Sequence, residues 1–241
     1  MAYPSIPYPE LETIFLDVGN TLVSMDYAWI REELETRGVT VELETLRRAE
    51  AAARPVISRA IARRRSTEGR HTFSLYLKTI LTKLTVPSSR ISALSDELLP
   101  VFRGPGRERL WSCVLPGIPE ALATLKSLGL RLVVVSNSDG TVERMLAAQG
   151  LRPYLDAVFD SHVVGFEKPD PRLFVHALEQ TGARPETTLH IGDLYTADVE
   201  GGRAAGIHTA LVDPYDDWAD VECTRFPDLG AAARTIAAAR K

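Results

Sequence analysis

The sequence predicts an α/β fold: a three-layer, doubly wound parallel sheet into which an all-helical segment is inserted. Residues 13–16 form a short apolar run, typical of a parallel strand buried on both faces, and this run ends at Asp17. Residues 26–105 then show the apolar spacing of helices without any strand pattern. Beyond them, strand and helix patterns alternate, as in parallel sheets with helical crossovers. We therefore expect a core formed by residues 10–25 and 106–241, with residues 26–105 as the insertion.

The second part of the core divides into elements at clear turn signals. The patterns predict strands over 131–136, 157–159, 187–191 and 207–212, and helices over 139–149, 171–180, 196–205 and 229–240. A further helix is expected to begin near Pro119, because proline suits the first turn of a helix. Glycines suited to end these helices are Gly129, Gly150, Gly182 and Gly206.

The insertion is predicted to contain about four helices. Trp29, Ile30 and Leu34 recur at helical spacing, and a second apolar stripe runs over residues 73–84. Six arginines are crowded in this segment: Arg54, Arg59, Arg63, Arg64, Arg65 and Arg70. One or two of them could grip a phosphate or carboxylate of a substrate, although most arginines on a helix face are simply solvated.

Composition argues against several classes of protein. The formal net charge of −4 gives no general attraction to nucleic acid or to an anionic membrane. The N-terminal residues lack the pattern of a signal peptide, and no apolar run approaches the roughly 20 residues of a membrane span. The two cysteines, Cys113 and Cys223, show no metal-ligand spacing. We therefore expect a cytoplasmic protein with reduced thiols that binds neither membrane nor nucleic acid.

Polar residues follow three of the predicted strands where each strand ends. Asp17 follows the first strand, Ser136 closes the next one in the core, and Asp193 follows the strand over 187–191, with Asp198 five residues later. Lys168 precedes another helix. Ligands of open α/β sheets bind at the carboxyl ends of strands, so these side chains should surround one crevice. Carboxylates held that closely need a cation, and hard oxygen ligands favour Mg²⁺.

These residues lie in four ordered motifs that resemble those of the haloacid dehalogenase-like (HAD) hydrolase superfamily. The motifs are Asp17-Val18-Gly19-Asn20-Thr21, Ser136-Asn137, Lys168-Pro169-Asp170-Pro171 and Gly192-Asp193-Leu194-Tyr195-Thr196-Ala197-Asp198. The resemblance covers residues 13 to about 213, and it identifies the helical insertion as the family's cap, placed between the first and second motifs.

The resemblance implies a role for each motif residue. Asp17 would be the nucleophile, and Asp17, Asp193 and the backbone carbonyl of Gly19 would bind Mg²⁺. Asp198 would support the metal, directly or through water. Ser136 and Lys168 would hold the phosphoryl group and act as catalytic residues, with Thr21 and Asn137 as further substrate-binding candidates. The implied activity is Mg²⁺-dependent phosphatase chemistry on a small phosphorylated metabolite, by a monomer or homodimer.

Gly19 departs from the pattern of the family's phosphatases, which usually carry a second aspartate there as general acid and base. Glycine cannot donate a proton, and the loss of such a group typically costs about 10²–10⁴ in rate. A phosphatase would therefore need a substrate with a weakly basic leaving group, such as an anomeric sugar phosphate or an acyl phosphate. Alternatively, water or a nearby group such as Asp26 could replace the acid.

Three other interpretations remain open. A 2-haloacid dehalogenase needs no leaving-group protonation, but the acidic pair Asp193 and Asp198 argues against it. A phosphonoacetaldehyde-hydrolase type would need an early lysine in the cap, and none occurs between Asp17 and Arg70. A catalytically silent member that binds a phosphorylated ligand or a partner protein is the third alternative.

Overall fold

The structure is a computed structural model that describes residues 5–63, 66–67, 69–104 and 107–240. They form two compact units. One contains the described residues up to Val23 and from Val114 onward, and the other is Ser24–Cys113. We call them the core unit and the inserted unit. The expected domain limits stay a prediction, because compactness does not show that either unit folds by itself.

The described residues contain strands and helices in the following order. The strands are β1 (Thr13–Leu16), β2 (Val23–Ser24), β3 (Cys113–Val114), β4 (Arg131–Ser136), β5 (Ala157–Asp160), β6 (Thr188–Gly192), β7 (His208–Val212) and β8 (Thr224–Phe226). The helices are α1 (Tyr27–Glu35), α2 (Leu43–Ala51), α3 (Arg54–Ile61), α4 (Arg70–Lys83), α5 (Ser88–Arg103), α6 (Arg107–Leu110), α7 (Ile118–Ser127), α8 (Val142–Ala148), α9 (Ser161–Val164), α10 (Pro171–Thr181), α11 (Gly201–Ala204) and α12 (Leu229–Ala239).

The core unit is built on a six-stranded parallel sheet with the order β5-β4-β1-β6-β7-β8. On one face, Phe15 of β1 and Val133 of β4 pack with Phe174 of α10. Neighbouring strand residues such as Ile14 point to the other face, because side chains alternate along a strand, and Ile14 is also fully buried. Helices α7 and α12 pack against each other. The predicted α/β fold with a parallel sheet is confirmed.

The inserted unit is helical from α1 to α6, and its core includes Met25, Trp29 and Phe102. The expected number of about four helices over residues 26–105 is wrong, because the described part of that range contains five, α1 to α5. The extra boundary lies between α2 and α3. Pro55 stands in the first turn of α3, where its missing N–H costs nothing, so a new helix begins there.

The arginines of the insertion do not form one surface. Arg54 is buried and pairs with Glu50, with 2.6 Å between Nη2 and Oε2. Arg59, Arg63 and Arg70 are exposed. The predictions for Arg64 and Arg65 lie outside the described residues.

Three details of the core unit differ from the expectation. Helix α8 begins at Val142 and not at residue 139, because Gly140 has a φ of +91° and its N–H donates to Asp160. Tyr195–Glu200 forms a π-helical turn before α11, where a regular helix was expected. Strand β8 was not anticipated, since three residues at the edge of a sheet carry little sequence signal. Among the described helices, none is long and apolar enough to cross a membrane.

Candidate active site

Three neighbouring strands, β4, β1 and β6, end at the same edge of the sheet and carry the predicted polar residues there. Asp17 follows β1 directly, Ser136 is the last residue of β4, and Asp193 follows β6. The backbone N–H of Asp17 donates to the carbonyl of Ile191 at 2.9 Å, which extends the strand pairing into the site. Asp17, Ser136 and Asp193 are all buried, as expected for a crevice at the centre of a parallel sheet.

The turn after Asp17 returns the chain toward β6. Leu22 and Val23 both donate their N–H groups to the carbonyl of Val18, at 2.9 and 3.0 Å. Asn20 adopts a left-handed backbone with a φ of +53°, which asparagine tolerates better than most residues. Its Nδ2 donates to Oδ2 of Asp193 at 3.0 Å. The turn therefore links the first motif to the fourth.

Lys168 is the cation at the centre of the site. Its buried Nζ donates to Oδ1 of Asp17 at 2.6 Å and to Oδ1 of Asp198 at 2.7 Å. The side chain of Asn137 holds the lysine backbone from both sides. Its Oδ1 accepts from the N–H of Lys168 at 2.7 Å, and its Nδ2 donates to the Lys168 carbonyl at 2.8 Å. The second motif thus orients the third.

Asp198 is held by three donors. Oδ1 accepts from Lys168 and lies 2.9 Å from Nε2 of His190, while Oδ2 accepts from the N–H of Leu194 at 2.9 Å. Asp198 is almost fully buried, and these contacts satisfy its charge. In this arrangement its carboxylate faces the lysine.

Two glycines allow these groups to approach so closely. A Cβ at Gly192 would lie 2.2 Å from Cγ of Asp198, so any side chain there would displace that carboxylate. A Cβ at Gly201 would lie 2.9 Å from Cα of Pro169, the residue that follows Lys168. Both glycines therefore keep the Asp198 and Lys168 segments in contact.

The two carboxylates that share Lys168 differ in basicity. Burial raises the pKa of Asp17. The positive charge of Lys168 acts to lower this pKa, but the negative charge of Asp198 adds to the effect of burial, and the net shift is upward. Burial would also raise the pKa of Asp198, but Lys168 and the hydrogen bond from His190 outweigh it and lower that pKa. Burial disfavours the charge of Lys168, yet the two carboxylates raise its pKa. Lys168 therefore remains an ammonium in this site.

Asp17 receives both of its side-chain hydrogen bonds on one oxygen. Lys168 and Ser136 each donate to Oδ1, with 3.1 Å between Oγ of Ser136 and Oδ1. No donor among the described residues reaches Oδ2. The contacts fix the orientation of the carboxylate, and both of them fall on Oδ1.

The structure brings most of the predicted residues together. Asp17, Ser136, Lys168 and Asp198 form one contact network, Asn137 joins it through the lysine backbone, and Asp193 joins the Asp17 turn through Asn20. Gly19 is half-buried in that turn. Thr21 is buried, and its Oγ1 has no hydrogen-bond partner among the described residues. The roles assigned to these residues stay predictions.

Two members of the network, Asn20 and His190, were not predicted from the sequence. Asn20 stood in the first motif beside Gly19, so its position was a usable signal, but its partner Asp193 lies 173 residues away. His190 lies within the apolar strand β6, where a histidine is usually just packed in the core. Its bond to Asp198 depends on the turn that follows the strand.

The donor set fits a divalent cation. Asp17 and Asp193 would offer carboxylate oxygens and Gly19 a backbone carbonyl, which are the hard oxygen ligands that Mg²⁺ prefers. Asp17, Asp193 and Asp198 are three buried carboxyl groups near this edge of the sheet, and Lys168 is the cation that contacts Asp17 and Asp198 among the described residues. Among the described residues, no three His, Cys, Asp or Glu side chains converge on one point. Mg²⁺ usually keeps several waters and a substrate oxygen in its coordination shell, so it needs only a few ligands from the protein.

The chain is similar to proteins of one family. A family model described as haloacid dehalogenase-like hydrolase matches residues 11–206. Haloacid dehalogenase-like hydrolase domain-containing protein 3 of Mus musculus is 38% identical over 128 residues, or 53% of this chain and 49% of that protein. Phosphoglycolate phosphatase of Aquifex aeolicus is 36% identical over 119 residues, or 48% of this chain and 55% of that enzyme. These matches span about half the length of each relative.

A solved structure shares the fold over most of the chain. It is the putative HAD-hydrolase YfnB of Bacillus subtilis, described as bound to magnesium. Its TM-score is 0.64, with 20% sequence identity over 94% of this chain and 98% of that one. At this identity the similarity shows the fold alone.

Proposed function

This chain belongs to the haloacid dehalogenase-like hydrolase family, and we propose that it is a Mg²⁺-dependent phosphatase acting on a small phosphorylated metabolite. The observation that carries the proposal is the buried carboxylate of Asp17, held by Lys168 and Ser136 through one oxygen only. The relative from Aquifex aeolicus is a phosphoglycolate phosphatase. Asp17 acts as the nucleophile, and an aspartyl-phosphate forms on it.

The chain's own residues divide the reaction between them. The carboxylate of Asp17 attacks phosphorus, and the bond from phosphorus to the leaving oxygen breaks. Water then cleaves the acyl phosphate, which releases inorganic phosphate and restores the carboxylate. Lys168 and Ser136 stabilise the negative charge of the phosphoryl oxygens, and Asn137 keeps Lys168 in place.

A bound Mg²⁺ supplies the remaining charge stabilisation for the phosphoryl group. Asp17, Asp193 and the carbonyl of Gly19 would hold it, and Asp198 would support the site through Lys168. Asn20 orients Asp193 for this role through its 3.0 Å hydrogen bond.

The absence of an acid at position 19 narrows the substrate. The groups that contact Asp17 are Ser136 and Lys168, and Lys168 is a poor proton donor near neutral pH because its pKa is raised. Asp26, an alternative acid, caps α1 through Oδ1 and binds Arg109 through Oδ2. The substrate is therefore one whose leaving group departs without full protonation, such as an anomeric sugar phosphate or an acyl phosphate.

The nucleophile is tested by replacing Asp17 with asparagine. Asp17→Asn should abolish hydrolysis of a generic aryl phosphate while the cooperative unfolding transition persists, because an amide cannot form the acyl phosphate. The control is Asp220→Asn, which changes an exposed carboxylate of the same unit. Both variants are assayed on a panel of phosphorylated metabolites and a 2-haloacid, with Mg²⁺ and with chelator. Unchanged hydrolysis by Asp17→Asn would reject the mechanism, and halide release without Mg²⁺ would replace it with dehalogenation.

The substrate class is tested at Gly19. Gly19 is not among the described glycines with positive φ, so an aspartate there does not force a left-handed backbone. Gly19→Asp should raise the rate on alkyl phosphates, by up to about 10²–10⁴, and change the rates on aryl and acyl phosphates much less. Equal changes across leaving groups would contradict this account of Gly19.

A further inference from the structure

His190 is a polar side chain in the interior of the central sheet that no catalytic role has yet explained. It lies in the middle of β6 and has no solvent exposure. Its ring meets Phe174 edge to face, with 4.8 Å between the ring centroids. Its Nε2 lies 2.9 Å from Oδ1 of Asp198. Since an apolar residue would fill the same space, the hydrogen bond to Asp198 is what distinguishes histidine here.

The direction of that hydrogen bond follows from the chemistry of both partners. Oδ1 of Asp198 accepts from the ammonium of Lys168 and Oδ2 accepts from the N–H of Leu194, so the carboxylate is an acceptor and Nε2 of His190 donates to it. Burial lowers the pKa of His190, which favours the neutral ring, although Asp198 opposes this shift. Nδ1 of His190 has no hydrogen-bond partner among the described residues. A proton on Nδ1 would be a buried donor without an acceptor, so the contacts favour the tautomer with its proton on Nε2.

The oxygen that His190 holds is the one that holds Lys168. Oδ1 of Asp198 receives both Nε2 of His190 and Nζ of Lys168. The same Nζ also donates to Oδ1 of Asp17. The chain of contacts therefore runs from His190 through Asp198 and Lys168 to Asp17, within the core unit throughout.

Without the imidazole, Asp198 would keep one anchor besides the lysine. This is the N–H of Leu194, which bonds to the other oxygen, Oδ2. The carboxylate could then rotate about that anchor, and Oδ1 would move relative to Asp17. Gly192 packs against the carboxylate, since a Cβ there would lie 2.2 Å from Cγ of Asp198, but the hydrogen bonds to Asp198 come from Lys168, His190 and Leu194 and not from this glycine. The histidine bond is thus the contact that fixes Oδ1 from the side of the sheet.

We propose that His190 is a positioning residue, whose Nε2–H holds Asp198 so that Lys168 is kept against the nucleophile Asp17. His190 does not touch the phosphoryl group in this role. The inference rests on the proposed function, because it assigns His190 to that reaction. It adds a fixed hydrogen-bond donor from the interior of the sheet to the four motifs.

The test compares two replacements of His190. His190→Phe keeps the ring and removes the donor, whereas His190→Gln keeps an N–H near the position of Nε2. His190→Phe should lower kcat for an aryl phosphate about 10–100-fold, the usual effect of removing a group that orients a catalytic residue, with a smaller change in KM. His190→Gln should recover most of that loss. The matched control is His176→Gln, a half-buried histidine on α10 that packs on Phe159.

A second measurement needs no activity and no metal. The imidazole ¹⁵N spectrum of the metal-free wild-type protein should show His190 protonated at Nε2 and unprotonated at Nδ1. The opposite tautomer would overturn the inference. So would a kcat of His190→Phe equal to that of wild type, or an equal loss in both variants, which would indicate packing alone. If His190→Phe fails to fold, the kcat of His190→Gln relative to wild type and the tautomer of His190 test the inference instead. A kcat near that of wild type with the proton on Nε2 would support it, and a large loss of kcat or a proton on Nδ1 would overturn it.

The two proposals fail in different ways. A wild-type protein that hydrolyses no phosphate ester, or an active Asp17→Asn variant, would reject the proposed function and this inference with it. An active wild type that loses activity in Asp17→Asn but not in His190→Phe would reject the inference alone.

Discussion

The two units each bury a carboxylate beside a cation, and the two clusters differ in how fully that carboxylate is satisfied. In the inserted unit, both oxygens of Glu50 are held. Arg54 donates from Nε to Oε1 at 2.9 Å and from Nη2 to Oε2 at 2.6 Å, and the hydroxyls of Tyr27 and Tyr76 donate as well. In the core unit, Asp17 shares one lysine with Asp198 and receives its donors on a single oxygen.

The pKa shifts follow this difference. Burial would raise the pKa of Glu50, but the charge and hydrogen bonds of Arg54, with those of the tyrosines, hold it below its ordinary value. Burial raises the pKa of Asp17, and the divided charge of Lys168 does not reverse the shift. Glu50 is 1% exposed and Asp17 is 7% exposed, so burial alone does not separate them. A carboxylate whose two oxygens both accept hydrogen bonds stabilises the fold, whereas a carboxylate that accepts them on one oxygen can still react through the other.

The largest expected effect comes from removing the shared cation. Lys168→Met leaves Asp17 and Asp198 buried beside each other without their counter-ion, which should cost about 3–5 kcal/mol of unfolding free energy. It should also lower kcat/KM for an aryl phosphate about 10²–10³-fold, because the phosphoryl charge loses its fixed partner. Urea unfolding and steady-state kinetics measure the two effects.

The control for Lys168 is Lys126→Met in the same unit. Lys126 pairs with Asp156 at 2.9 Å, and both side chains are more than a third exposed. This exposed pair should contribute no more than about 1 kcal/mol. A Lys168→Met protein as stable and as active as Lys126→Met would remove the basis of the comparison.

Replacing Glu50 should lower the free energy of unfolding without a comparable loss of catalytic activity. Glu50→Gln leaves Arg54 buried without its anionic partner and should lower the unfolding free energy by about 3–5 kcal/mol. Its effect on kcat should be far smaller than that of Lys168→Met, because Glu50 contacts residues of the inserted unit and not the proposed nucleophile Asp17. Glu97→Gln is the control, since Glu97 is 60% exposed and its pair with Arg37 spans 3.5 Å. Equal destabilisation by the two glutamine variants would show that burial adds nothing to the Glu50 pair.

The smallest effect concerns pH. The pKa of Glu50 is lower in the folded protein than in the unfolded chain, so its stabilising contribution is complete above the unfolded value of about 4.3. That contribution is lost as the pH falls through the folded pKa, where Glu50 becomes neutral like glutamine. The difference in unfolding free energy between wild type and Glu50→Gln should therefore narrow below about pH 4. If the difference in unfolding free energy grew as the pH fell, folding would raise the pKa of Glu50 and not lower it.

Much of the fold could be predicted because its signals are local. Strand β4 was placed at its observed limits, and the glycines after α7, α8 and α10 end those helices with positive φ. The insertion was recognised as helical, but the boundary at Pro55 was not. The start of α8 was missed because the N–H of Gly140 bonds to Asp160, a residue of another strand. Local signals fail where a distant side chain takes a backbone group.

In the site too, local sequence signals were readable and contacts between distant residues were not. The motif residues Asp17, Ser136, Lys168, Asp193 and Asp198 could be chosen from their places at strand ends and helix starts. Asn137 was predicted to bind substrate, and the structure shows its side chain on the backbone of Lys168, 31 residues away. The substrate role of Asn137 remains a prediction, while its support of Lys168 is visible only in the folded chain.

The sequence by itself determined the family, the order of the four motifs along the chain and the candidate nucleophile, because these depend on residue types at short spacings. The tertiary structure decided how the charges are shared. It placed Lys168 between two carboxylates, joined Asn20 to Asp193 and brought His190 from inside the sheet to Asp198. Hydrogen bonds and charge interactions act over a few ångströms in space and do not depend on separation along the chain. Only the folded chain therefore shows that both side-chain donors to Asp17 fall on one of its two oxygens.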